Sequence, residues 1–195
     1  MSKNQYILPF IGTWYVEYGG TKKSNSHSWD IISQRYAYDF EIRKNNLPYH
    51  NDAQKNKNYY SYLQEIIAPY DGWVINLVND YKNTHITPDR KIICDVDDPK
   101  GNYIVLKHPN GEYSTICHFE KDSFKVKLGD TVKQGEILGL VGNSGNTQGP
   151  HIHFQLQQGP NPDTDKGIPI SFKNAYNNNK KIKHLQKGIE IESRS

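Results

Sequence analysis

The chain has 195 residues, 35% of them hydrophobic, with 24 Lys and Arg against 21 Asp and Glu for a formal net charge of +3. That length suits one domain, its apolar content supports only a lean core that the 14 tyrosines must help complete, and so weak and interspersed a charge gives no basis for binding nucleic acid. Ile and Val together number 28 against 10 Leu and 4 Ala, a balance that favours pleated sheet and excludes a helical bundle.

Residues 6–18 (YILPFIGTWYVEY) read as an extended, aromatic-rich leading segment that stops at Gly19-Gly20. Its apolar part is broken by Pro9, Gly12 and Thr13 and no small-residue cleavage site follows, so no signal peptide is recognised and the chain reads as cytoplasmic. No stretch approaches the ~18 apolar residues of a membrane span. A polar run, 21–30, leads into RYAYDFEI (35–42), which alternates like a half-buried strand. Residues 43–63 and 79–101 are polar insertions. Between and after them, WVINLV (73–78), YIVLKH (103–108), EYSTICHF (112–119), EILGLVG (136–142) and HIHFQLQ (151–157) are strands bounded by turn residues such as Pro109-Asn110-Gly111. The tail beyond Phe172 is polar, with KGIEIE (187–192) as an edge strand. Short strands, tight turns and no alternating helices predict an antiparallel all-β domain with long loop insertions. The recognisable core spans about 27–172, with 1–26 as an N-terminal extension and 173–195 as a C-terminal tail. With no export signal, Cys94 and Cys117 read as free thiols.

The sharpest local feature is His151-Ile152-His153. Residues two apart on a strand share a face, so two imidazoles stand side by side, one able to bind a metal and the other to face a substrate. Such a pair alone is commonly idle. Here a Gly-rich loop (142–150) precedes it, His118 ends a strand of the same sheet, and Asp39 ends RYAYDF with His27 upstream. His108 reads as structural, His50, His85 and His184 as solvated, and Cys117, next to His118 in a strand, as turned into the core.

Three ordered segments resemble the lysostaphin-like (LytM-type) zinc metallopeptidases, which act on peptidoglycan. GDTVKQGEILGLVGNSGNTQGPHIHFQL is similar to that family's G-D-x-V turn followed by G-x-x-G-x-x-x-G-P-H-x-H-F. YIVLKHPNGEYSTICHF resembles the hairpin before it, and IIAPYDGWVINLV the strand that opens the core. The resemblance implies an antiparallel sheet or β-sandwich of the duplicated hybrid motif type. It also implies one Zn2+ per chain held by His27, Asp39 and His153, with His118 and His151 as the non-ligand catalytic pair, and a monomer acting on a peptide or peptidoglycan substrate. The departure lies upstream: the family's common H-x-x-x-D is replaced by His27 and Asp39 with eleven residues between them. Asp30 is the rival carboxylate, placed in the polar loop rather than on the strand.

The chemistry is consistent with that resemblance. Catalytic zinc takes three N or O protein ligands and keeps a fourth position for water, whose pKa falls to about 7. No H-E-x-x-H helix supplies a Glu base, so histidines would carry the protons in a metalloendopeptidase. Two other classes compete: a zinc-free binding or activator module of the same fold, and a lipoyl or biotinyl carrier suggested by GDTVKQGEILGLV. The carrier lacks its lysine at a hairpin tip. Location conflicts with the leading reading, since peptidoglycan lies outside the cytosol.

Overall fold

The protein is described here by a computed structural model, which covers residues 5–91 and 96–194. Twelve strands follow in chain order: β1 (Gly12–Tyr18), β2 (Tyr38–Glu41), β3 (Glu65–Ile67), β4 (Gly72–Val78), β5 (Tyr103–Lys107), β6 (Tyr113–Cys117), β7 (Thr131–Val132), β8 (Ile137–Leu140), β9 (Ile152–Gln157), β10 (Ala175–Asn177), β11 (Lys180–Lys181) and β12 (Glu190–Ser193). Ten form one sheet in the order β11-β10-β12-β1-β2-β9-β6-β5-β4-β7, and β3 and β8 pair separately. The strand pairings within these sheets are all antiparallel. The fold is all-β and antiparallel, as the Ile- and Val-rich composition predicts.

Alternation explains which face meets what. On β9, Ile152, Phe154 and Leu156 are buried in the main core, joined by Ile104, Ile116, Tyr38 and Phe40 from neighbouring strands. Burying each such side chain contributes about 1.5–3 kcal/mol. Ile66, Leu138 and Val141, from the β3–β8 region, belong to the same cluster. The intervening residues of β9, His153, Gln155 and Gln157, stand on the opposite face. They are buried too, because loops cover that face.

Three expectations change. Residues 1–26 are not an extension of the core over their described part, since Tyr6, Leu8, Phe10, Trp14 and Val16 lie in it and β1 pairs with both β2 and β12. Phe10 stacks on Trp14 with centroids 4.6 Å apart; aromatic burial draws the segment inward. KGIEIE supplies β12, but as an inner strand between β1 and β10 rather than at an edge. The polar insertions are also partly built in. Ser61 Oγ accepts the Ile42 N–H at 2.7 Å, and Thr84 donates its N–H to Asn143 O at 2.8 Å, tying the second insertion to the Gly-rich loop.

His108 is buried and structural. Its Nδ1 lies 2.8 Å from Asp71 O and its Nε2 2.8 Å from Ser114 Oγ. Burial pushes its pKa down to about 4, whereas the unfolded chain titrates near 6.5. The neutral His108 therefore contributes fully above pH 6.5, and its contribution is lost as pH falls toward 4, by roughly 3 kcal/mol in all. Denaturant titrations should show wild type losing stability relative to His108→Gln across that window; parallel curves would show that His108 titrates normally in the fold.

Candidate active site

β2, β9 and β6 lie side by side, and their registers pair Asp39 with His153 and His153 with Cys117. Cross-strand partners share a face, so the three stand in a row on the side away from the main core. A shift in the β1–β2 register between Val16 and Tyr18 marks a bulge, and both Glu17 and Tyr18 line the same cleft. His27 arrives from the loop after a short 3-10 turn, Lys23–Asn25. Its Nε2 lies 3.0 Å from Asp39 Oδ2, while His153 Nδ1 lies 2.9 Å from Asp39 Oδ1. One donor atom from each of His27, Asp39 and His153 falls within 4.8 Å of the others. Asp30 stays away, largely exposed and paired with Lys23 at 3.2 Å.

His118 reaches the site by leaving the strand. β6 ends at Cys117, and His118 takes φ 68°, a left-handed step uncommon outside Gly and frequent at functional sites. Cys117 is packed in a hydrophobic core cluster, as expected, but it does not face away from His118 as strand alternation predicts. Cys117 shares the face of His153 and lines the cleft together with His118, in a small separate cluster with Tyr103 and Val105. The thiol is free and buried; Cys94 lies outside the described residues.

The Gly-rich loop holds the other two rings. Gly145, at φ +82°, sits so close to the chain that a Cβ would lie 2.4 Å from Gly101 N and 2.5 Å from Pro99 O. That contact places the preceding carbonyl, Ser144 O, 2.7 Å from His118 Nδ1. His151 Nδ1 lies 2.9 Å from Gly149 O and 3.1 Å from Thr147 Oγ1. A carbonyl only accepts, so each Nδ1 carries its proton and the neutral ring keeps its lone pair on Nε2. The two rings approach to 4.6 Å between centroids, and His151 Nε2 is 3.8 Å from Asp39 Oδ1.

Burial by itself pushes the Asp39 carboxyl up, but His27 and His153 outweigh it and hold the group well below the usual carboxylate range. The Asp39 charge in turn raises His27. Burial drives His118 well below the ordinary imidazole range, with the neighbouring His151 and His153 adding to it. It lowers His151 as well, against the pull of Asp39. An ionised carboxylate therefore faces two imidazoles, with two further neutral imidazoles alongside.

Two imidazoles and a carboxylate form a donor set that suits zinc, and it leaves room for a non-protein ligand. With one donor atom from each residue the three lie within 4.8 Å of one another, a spacing compatible with the roughly 3.4 Å between tetrahedral ligands on bonds of about 2.0–2.2 Å. The cleft around them has a volume of about 440 Å³, and its walls include charged groups that the motif reading missed: Glu17, Glu41, Arg90 and Lys100. Only Glu41 was legible, two residues beyond Asp39 on the same strand.

Residues 60–167 match the family model described as Peptidase family M23. The chain belongs to peptidase family M23. The match includes His118, His151 and His153, whereas His27 and Asp39 lie before it. Among curated proteins, the chain is similar to the peptidoglycan DD-endopeptidase ShyA of Vibrio cholerae serotype O1, 41% identical over 56 residues, 29% of this chain and 13% of ShyA. ShyB, the peptidoglycan DD-endopeptidase of the same organism, is 31% identical over 107 residues, 54% of this chain and 25% of ShyB. The M23 chain thus spans a quarter or less of these relatives. Its fold is similar to that of the M23 metalloprotease pseudoalterin, from the deep sea, at TM-score 0.51 and 18% identity, covering 89% of this chain and 81% of that one.

Proposed function

We propose that this M23 chain is a zinc-dependent metalloendopeptidase that hydrolyses peptide bonds of peptidoglycan, in stem peptides or cross-bridges. In this reading His27, Asp39 and His153 hold one zinc ion, and His118 and His151 handle protons. The observation that carries it is the convergence of three ligand-type atoms within 4.8 Å beside two imidazoles whose Nδ1–H groups are already committed to backbone carbonyls. Zinc, when bound, supplies Lewis acidity and activates water near neutral pH. The histidines supply the rest. Each presents a free Nε2 that can take a proton from the attacking water, and the imidazolium so formed can donate an N–H to the developing oxyanion. The substrate class is supported by the family and by what ShyA and ShyB are named for. The protein acts here as a single domain and a monomer, and no helix among the described residues is long and apolar enough to cross a membrane.

Purified cell walls incubated with the zinc-loaded protein should yield new amine ends, identifiable by mass spectrometry. A chelator should stop their release, and one equivalent of zinc should restore it. A zinc-loaded protein that binds walls without releasing amine ends would establish a binding or activator module in place of the enzyme.

A further inference from the structure

Behind His153 runs a buried line of amides that neither the metal cluster nor the catalytic pair accounts for. His153 Nε2 lies 3.2 Å from Gln155 Oε1. Gln155 Nε2 donates to Pro162 O at 2.9 Å and to Gln157 Oε1 at 2.9 Å. Thr115 Oγ1 donates to that same Gln157 oxygen at 3.1 Å. His153, Gln155 and Gln157 are buried with 6%, 2% and 0% exposure.

The direction of this line is set by chemistry. Pro162 O can only accept, so the Gln155 group facing it must be the NH2, and the Gln155 oxygen must then face His153. That oxygen can only accept, so His153 carries a proton on Nε2. Gln157 Oε1 takes two donors, which leaves the buried Gln157 Nε2 without a partner. The network retains an unpaired amide rather than turn its oxygen away from Gln155. At the other end of the ring, Nδ1 stands 2.9 Å from the Asp39 carboxylate. With the proton on Nε2, Nδ1 is the nitrogen whose lone pair is left to bind a metal.

We propose that Gln155, braced by Gln157 and Thr115, is a positioning residue that fixes His153 in the Nε2–H form and so dedicates Nδ1 to the zinc. This rests on the zinc-site reading above. Gln155 touches the ligand's far nitrogen and no reacting atom. Outer partners of this kind orient a metal-bound imidazole and raise its basicity, and their loss typically costs about 10–100-fold in metal affinity.

Zinc dissociation constants, measured on the full chain by competition with a chromogenic chelator, should order three proteins. Gln155→Leu, with no acceptor, should bind zinc about 10–100-fold more weakly than wild type. Gln155→Glu keeps an acceptor toward His153 Nε2, although it loses the donor toward Pro162 O, so it should bind zinc more tightly than Gln155→Leu. A packing role predicts the reverse order, because leucine fills the buried site without a charge. Gln155→Leu within twofold of wild type, or Gln155→Glu weaker than Gln155→Leu, overturns the proposal. A readout on wild type covers the case of a variant that fails to fold. Long-range 1H–15N spectra should show His153 protonated on Nε2 with and without zinc, and an unprotonated Nε2 overturns the proposal. Wild type that binds no zinc would instead defeat the zinc-site reading, while the spectrum of the metal-free protein still decides the role of Gln155.

Discussion

Replacing His118 or His151 by alanine is expected to leave about one zinc per chain while hydrolysis slows by about 10²–10⁴-fold, the usual cost of removing a general base or an oxyanion donor. Both rings are anchored through Nδ1, on Ser144 O and Gly149 O, and both keep Nε2 for the reaction. Neither belongs to the cluster of His27, Asp39 and His153, and the nearest approach of His151 to Asp39 is 3.8 Å. Metal content and rate should therefore separate cleanly. Loss of zinc in His151→Ala would make His151 a ligand and reverse the roles within the H-x-H pair. Full activity in His118→Ala would remove the two-histidine mechanism altogether.

Asp39→Ala should lose the metal. Asp39 is the hub of the cluster, with one carboxylate oxygen toward His27 and the other toward His153, and it alone brings negative charge to that set. The loss in zinc affinity should exceed the about 10–100-fold that removing an outer partner costs. Asp30→Ala is the control. Its side chain is 83% exposed and paired with Lys23, so the substitution should keep full zinc and shift stability by no more than about 0.5 kcal/mol. Elemental analysis of the two purified variants gives the answer, and a zinc-loaded Asp39→Ala beside a zinc-free Asp30→Ala would reassign the carboxylate.

Much of the fold was legible because period-two alternation and turn residues are local signals. Ile152, Phe154 and Leu156 on one side of β9, and His153, Gln155 and Gln157 on the other, follow from spacing alone. The leading segment was harder. YILPFIGTWYVEY shows its aromatic content but not its partners, and only the assembled sheet places Trp14 and Val16 in the core beside β2 and β12. KGIEIE announced a strand, but whether a strand lies inside a sheet or at its edge depends on what pairs on each side.

The site divides in the same way. Sequence by itself determined the residue types, the same-face pairing of His151 and His153, and the family resemblance carried by residues 66–78, 103–119 and 129–156. Tertiary structure decided that His27, separated from Asp39 by eleven intervening residues, closes to 3.0 Å from it, and that Asp30 does not approach. It also decided that His118 and Cys117 line one cleft, against the rule of strand alternation, because His118 adopts φ 68° just past the strand end. The physical reason is range. Alternation, turns and motif spacing depend on covalent neighbours, whereas the meeting of Asp39 with His153 depends on a β-register between residues 114 positions apart, and a register is settled only when every strand of the sheet has found its place.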